Sequence, residues 1–242
     1  MLFRSVPQTS GSTAQNHSML KLISSMATRQ LLADFAARWQ DKSGINVVVE
    51  SVGGVDAAKR VRAGEVFDGV VLAGDAIDKL IASGHLLAGS RIDLVHSNVA
   101  VAVQQGARLL DIGSEAALRR AIEAAPSIGY SSGPSGVALI KLFERWGITG
   151  DLASCLVQAP PGMPVAGLVA RGEVALGFQQ LSELINEEGV TVVGVLPESV
   201  AITTVFSAAT CAVCEQVDKL GEFIAWMETP EVLAVKRRHG MY

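Results

Sequence analysis

With 242 residues, 49% hydrophobic and 18% charged, and with 24 glycines, the chain has a composition that excludes intrinsic disorder and suits alternating strands, helices and tight turns. Its length fits one large domain or two small ones joined by a hinge. Lys and Arg number 20 and Asp and Glu 24, a net charge of -4. This excludes the broad cationic surface that nucleic acid or anionic lipid attracts, so no nucleic-acid partner is expected and an anionic ligand must be held by a few local groups.

Residues 1–18 are polar and turn-rich, and Arg4 is followed by no apolar core. They are expected to form a flexible segment and not a secretory signal, with Met19 as an alternative start. No run of about 18 apolar residues occurs, so no spanning helix is expected. From Met19 to Ser24 a short apolar strand is predicted, and Leu31, Leu32, Phe35 and Trp39 then recur at helical spacing until Gly44. Ile45–Val49 reads as a second strand, followed by Ser51-Val52-Gly53-Gly54 and a polar helix over about 56–63. A third strand over 67–72 leads through Ala73-Gly74 into a helix over 75–83, stopped by Gly84. Such alternation predicts an α/β fold with a mainly parallel sheet covered on both faces.

Asn98–Val103 reads as a strand leaving this first lobe, and the pattern then begins again. A strand over 127–130 precedes Ser131-Ser132-Gly133-Pro134-Ser135-Gly136 and an amphipathic helix carrying Leu139, Leu142, Phe143 and Trp146. Further along come a strand at 156–158, the turn Pro160-Pro161-Gly162-Met163-Pro164, a short helix, a strand over 175–178 and a helix over 181–187. Late strands at 191–196 and 202–208 and helices at 218–227 and 231–238 complete the chain. Three cysteines, Cys155, Cys211 and Cys214, cannot all pair. They are read as structural, because no cysteine or histidine cluster supplies further metal or redox partners; no metal site and no cofactor are expected.

Six strand-to-helix junctions are built from small or hydroxyl residues: Ser24-Ser25-Met26, Gly53-Gly54-Val55, Ala73-Gly74-Asp75, Ser131-Ser132-Gly133, Gly162-Met163-Pro164 and Gln179-Gln180-Leu181. In parallel α/β folds ligands sit beyond the carboxyl ends of strands, where helix N-termini present free N–H groups and partial positive charge. Any one junction reads equally as a cap or a turn. Their repetition favours a site for a small anion.

In the opening strand into Ser24-Ser25, and at Gly53-Gly54-Val55-Asp56-Ala57-Ala58, Phe67-Asp68-Gly69-Val70-Val71 and Gly177-Phe178-Gln179-Gln180-Leu181-Ser182-Glu183, the chain resembles the type 2 periplasmic solute-binding fold in its molybdate-binding-protein-like branch. The resemblance covers nearly all of 19–242. It implies two Rossmann-like lobes with a hinge that close on the ligand: 19–97 and 201–242 in lobe one, 98–200 in lobe two. It also implies a monomer, a substrate-binding role in an ABC-type transport system with a membrane permease as partner, and a periplasmic address that residues 1–18 do not support. The ligand set expected from junctions and resemblance together is Ser24, Ser25, Ser51, Gly53, Gly54, Val55, Ser97, Ser131, Ser132, Gly133, Ser135, Met163, Pro164, Gln179 and Gln180.

Molybdate binders of this kind often present a tyrosine where Gln179-Gln180 stands here, an amide in place of a phenol. The segment Gly129-Tyr130-Ser131-Ser132-Gly133-Pro134-Ser135-Gly136 instead resembles a sub-branch associated with organic acids, including aconitate isomerase. An isomerase needs a group that removes a proton beside a carboxylate and returns it at another carbon. The candidates are His96 at the lobe crossover, first in rank, then Lys59 and Glu183, the last also suited to a helix dipole. Arg60, Arg62, Arg91 and Arg171 are candidate carboxylate clamps. Two readings stand: a binding protein, ranked first, for an oxyanion or a di- or tricarboxylate, and an isomerase acting on a tricarboxylate.

Overall fold

The computed structural model describes residues 19–242, and the flexible segment expected over 1–18 lies outside them. Apolar strand β1 (Met19–Ser25) runs through a single 3-10 turn (Met26–Thr28) into α1 (Arg29–Ser43), which ends on Gly44 in a left-handed cap. Two more units follow, β2 (Asn46–Val52) with α2 (Gly54–Arg62) and β3 (Gly69–Ala73) with α3 (Gly74–Ala82). The long β4 (Ile92–Gln104) leads to α4 (Glu115–Glu123), β5 (Ile128–Tyr130), α5 (Pro134–Trp146), α6 (Thr149–Leu152) and β6 (Leu156–Gln158). Then come α7 (Val165–Ala170), β7 (Leu176–Gln180), α8 (Leu181–Leu184), β8 (Val190–Val195), β9 (Thr203–Thr210), α9 (Val217–Met227) and α10 (Leu233–Arg238).

The strands run in the order β2-β1-β3-β9-β4-β7-β5-β6, with β8 also paired to β4. β1, β2 and β3 are mutually parallel, as are β5, β6 and β7. Strand β4 belongs to both halves: Ile92–Asn98 pair antiparallel with β9, and Val99–Gln104 pair with β7 and β8. The return segment crosses beside it, where Val99 N–H donates to the Ile202 carbonyl (2.9 Å). Each half buries its own apolar groups. In one, Leu22, Phe35, Trp39, Phe223 and Trp226 fill the space under α1 and α9, and Val61, Val70, Ile77 and Leu80 the opposite face. In the other, Val101, Leu118, Leu139, Phe143 and Phe178 pack under α4 and α5. Two separately cored α/β lobes joined by adjacent strands make the two-lobed architecture that the resemblance implies.

Several features depart from the sequence reading: the sheet is mixed and not mainly parallel, because β4, β8 and β9 join it antiparallel, and the short α6 is not among the expected helices. β4 begins at Ile92 and not at Asn98, because Asp93 and His96 lie on its solvent side and interrupt the apolar run that marks a strand. α4 was passed over. Its signals are Ser114, whose hydroxyl accepts from Ala117 N–H (3.2 Å), and the core pair Leu118 and Ile122 at helical spacing. The helix expected over 181–187 closes at Leu184.

Gly177 of β7 faces Gly129 of β5, and α7 lies flush against this bare stretch of sheet. A Cβ at 177 would stand 2.4 Å from Val169 Cγ2 and 3.1 Å from Val165 Cγ1. That close approach sets the height of the α7 N-terminus above the strand ends. Cys211 and Cys214 are free thiols, pushed up to about 12 and about 11, above all by burial, and the Cys214 thiol donates to Asp68 (3.4 Å), which agrees with a structural role. Among the described residues no helix is long and apolar enough to cross a membrane.

Candidate functional site

Between the lobes lies a cleft of about 870 Å3, within the range of small-molecule sites. Lobe one contributes Ser25, the 3-10 turn, and the first residues of α2 and α3, including Gly53, Gly54 and Val55. Lobe two contributes Ser131, Ser132, Gly133 and Ser135 at the start of α5, Met163 and Pro164 before α7, and Gln179 and Gln180 at the end of β7. Thr203–Phe206 of β9 also line it. Twelve of the fifteen ligand residues expected from sequence thus border one cavity.

The helix starts present open backbone. Gly53, Ala73 and Gly133, the N-caps of α2, α3 and α5, supply no side-chain cap, so early N–H groups are left for a ligand or water. Two residues of the cleft wall each carry a buried side-chain atom with no hydrogen-bond partner among the described residues, Ser25 Oγ in lobe one and Gln180 Oε1 in lobe two. The amide of Gln180 donates to Thr204 Oγ1 (2.7 Å). Because a hydroxyl both donates and accepts, the amide has a second orientation that turns Nε2 toward the cleft as a donor. Unpartnered polar atoms at this depth are expensive, and a ligand that engages them recovers that cost.

Seven candidates lie elsewhere. Ser24 is fully buried and shares a 2.7 Å hydrogen bond with Ser51, its cross-strand partner, so the two hydroxyls brace β1 against β2 beneath the cleft. Ser97 is fully buried in β4 opposite Thr204 and is not on the cleft wall. His96, first in rank as a base, faces solvent: strand alternation turns Val95 and Ser97 inward and His96 outward, where its ring meets the edge of Tyr242 (5.4 Å) and its backbone pairs with Tyr242. A proton carrier for the cleft it is not. Of the cations, Lys59 is exposed beside Asp56 (3.7 Å), Arg60 is held by Glu50 and Glu65, and Arg171 by Glu173. Arg62 and Arg91 do line the cleft, but Arg91 is already tied to Asp78 (2.7 Å) and Asp93 (2.9 Å).

The remaining base candidate is the one inside. Glu183, in the first turn of α8, borders the cleft, and its Oε1 accepts from Gln179 Nε2 (2.9 Å). Burial pushes its carboxyl up to about 7, against smaller lowering effects of the Gln179 hydrogen bond and the charge of Arg29. Near neutral pH such a group exists in both protonation states, as proton transfer requires. Asp56 and Asp75, from the expected junction segments, border the cleft, as do Lys79 and Lys141, which lie outside the expected set; nothing in a single sequence distinguishes a charge a turn or more into a cleft-facing helix from one on any other solvated face.

The exchange of Ser24 for Ser25 is testable. Ser25→Ala is expected to weaken ligand binding about tenfold, the scale of one hydrogen bond to a charged group, with little change in stability. Ser24→Ala is expected to cost about 1 kcal/mol of stability and leave affinity alone. Calorimetry and thermal melts of both variants separate these outcomes, and equal affinity losses would contradict the assignment.

Known proteins share this fold. The profile of the family described as "Bacterial extracellular solute-binding protein" matches residues 20–242. The sequence is 36% identical over 202 residues to a Pseudomonas protein named aconitate isomerase, covering 81% of this chain and 77% of that one. Among solved structures, the Azotobacter vinelandii periplasmic molybdate-binding protein superposes with a TM-score of 0.78 at 20% identity, over 92% of this chain and 98% of that one. L-phospholactate-bound PEB3 does so with a TM-score of 0.73 at 16% identity, over the same 92% and 98%.

Proposed function

The chain belongs to the bacterial extracellular solute-binding protein family, and from that premise we propose that it closes its two lobes on a small di- or tricarboxylate and shifts a proton along it, with aconitate as the leading substrate. One observation carries this reading: Glu183, a carboxyl pushed up to about 7, borders a cleft whose other features suit an anion. A site built only to hold a polyanion gains nothing from a buried acid beside it, whereas an isomerase requires one. The relative at 36% identity supports the choice of substrate.

In the proposed reaction the ionised Glu183 takes a proton from the methylene carbon next to a substrate carboxylate. The electron pair spreads onto that carboxylate and across the double bond, which moves by one carbon. Glu183 then returns the proton to the former vinyl carbon, so acid and enzyme leave as they began and only the alkene has moved. Helix N-termini and Ser25, Ser131 and Ser132 hold the carboxylates and stabilise the developing charge. We take the lobes to be 19–97 with 201–242 and 98–200, hinged where β4 and the 200–202 segment cross.

The second reading is a binding protein that delivers an oxyanion or the same acid to a permease of an ABC-type system, and family membership favours it. A periplasmic address and a monomeric state belong to that reading. One experiment separates the two. The protein is incubated with cis- or trans-aconitate in deuterium oxide while the vinyl proton is followed by NMR, beside a thermal-shift screen of molybdate, tungstate, sulfate, citrate and both aconitates. A ligand at 100 times its Kd stabilises by ~2.7 kcal/mol. Isomerisation with deuterium uptake is expected. Stabilisation by an aconitate without turnover would leave a binder of organic acids, and stabilisation by molybdate or tungstate alone would leave an oxyanion binder.

A further inference from the structure

Gln179 is buried at the penultimate position of β7, and both ends of its amide are engaged. Its Oε1 accepts from the N–H of Ala166 (3.0 Å), the second residue of α7 and itself fully buried. That N–H has no intrahelical partner, and Pro164 at the N-cap offers no side chain to satisfy it. A backbone N–H only donates, so the amide cannot flip: the oxygen must face α7 and the nitrogen must face Glu183. Gln179 Nε2 accordingly donates to Glu183 Oε1 (2.9 Å).

This fixes more than a contact. Protonating the oxygen that receives the N–H would turn it into a hydroxyl oxygen, a much weaker acceptor, so the Gln179 hydrogen bond favours the proton on the other oxygen. Glu183 therefore takes up its proton on Oε2, which no hydrogen bond engages among the described residues. The groups packed around α8 leave Gln179 as its main polar contact. Arg29, at the start of α1, is the charged residue acting on Glu183, while the neighbouring stretches Val99–Val103 of β4, Val190–Val195 of β8 and the Met26–Thr28 turn carry no charge.

We infer that Gln179 is a positioning residue for proton transfer in the cleft: seated by the α7 backbone, it holds Glu183 Oε1 so that the proton is carried on Oε2. The inference rests on the reading of Glu183 as the proton carrier. Because Gly177 lets α7 lie flush on the sheet, the seat of a helix in the cleft wall is transmitted through one amide to the reacting carboxyl.

Two variants test it. Gln179→Glu keeps an acceptor for Ala166 N–H and removes the donor to Glu183; Gln179→Met removes both. The titration midpoint of Glu183 is read without ligand by NMR of carbon-13-labelled glutamate carboxyls, assigned by comparison with Glu183→Gln. Loss of the donor raises proton affinity, so the midpoint is expected to move up by at least ~1 pH unit, a tenfold tighter proton, in both variants. The pH limb of aconitate turnover is expected to move with it. A merely structural Gln179 predicts lower melting temperatures with an unmoved midpoint in Gln179→Met, and an unmoved midpoint in folded Gln179→Met overturns the inference; the added charge of Gln179→Glu raises the midpoint further by like-charge repulsion. Absence of aconitate turnover in the wild type would instead overturn the functional reading, whatever the midpoint does.

Discussion

Glu183→Gln is expected to lower aconitate turnover by about 10²–10⁴-fold, the usual contribution of a positioned acid or base, while ligand binding survives. The amide imitates the protonated acid in size and charge, so affinity for a polyanion is retained or improved. The same residue sets opposite pH trends in the wild type. Its carboxyl lies at about 7, against the usual 4.5. As pH rises through 7 the group ionises, turnover rises because the base becomes available, and affinity falls because a second negative charge faces the ligand. Stability follows by linkage: between 4.5 and about 7 the folded chain holds a proton that the unfolded chain has lost, so stability declines as pH rises across that window and levels off above it. In Glu183→Gln all three slopes are expected to flatten. Steady-state kinetics, calorimetry and melts across this range read them out, and undiminished turnover would remove Glu183 from the chemistry.

Gly136→Ala is expected to be the most damaging single methyl group in the cleft. A Cβ there would stand 1.7 Å from the Ser131 carbonyl oxygen and 2.8 Å from its carbon. These are backbone atoms, which no rotamer change can move aside. Alanine in a helix is ordinarily favoured over glycine by about 1 kcal/mol, so the sign is reversed here by contact alone. The Ser131–Gly133 loop must lift off α5, breaking the 2.9 Å bond between Ser131 and Ser135 and shifting a cleft wall. A loss of about 1–3 kcal/mol in stability is expected, together with a fall in turnover on the order of 10²-fold, typical of a displacement near 1 Å. Gly150→Ala in α6 is the control, since a Cβ there meets nothing within 4 Å. If both variants melt and bind alike, the loop is softer than its contacts imply.

Much of the architecture was legible because period and punctuation are local. The runs before Ser25, Gly53, Ala73, Ser131 and Gln179 each meet small or polar residues where strands end, and these are the junctions that line the cleft. α4 is legible by the same logic, since Ser114 with Leu118 and Ile122 carries the ordinary signature of a helix start. Arg62, Arg91 and Glu183 stood among the candidates, but the wall lysines were not legible. Lys79 and Lys141 lie one or more turns inside their helices, and only the second lobe standing opposite makes them part of a site.

From the sequence alone come the two-lobed α/β architecture and the chemical character of an anion site, since both follow from short-range periodicity and from which residue types free a helix N-terminus. The assignment of roles inside that site belongs to tertiary structure. Ser24 and Ser25 are neighbours in one strand, yet one braces β2 and the other opens onto the cleft. His96 ranks above Glu183 as a base in print, yet strand alternation sends His96 to solvent while desolvation at the cleft wall lifts the pKa of Glu183. Side-chain direction at a strand end turns on a single residue of register, and a carboxyl's proton affinity turns on what surrounds it in space; neither is encoded by spacing along the chain.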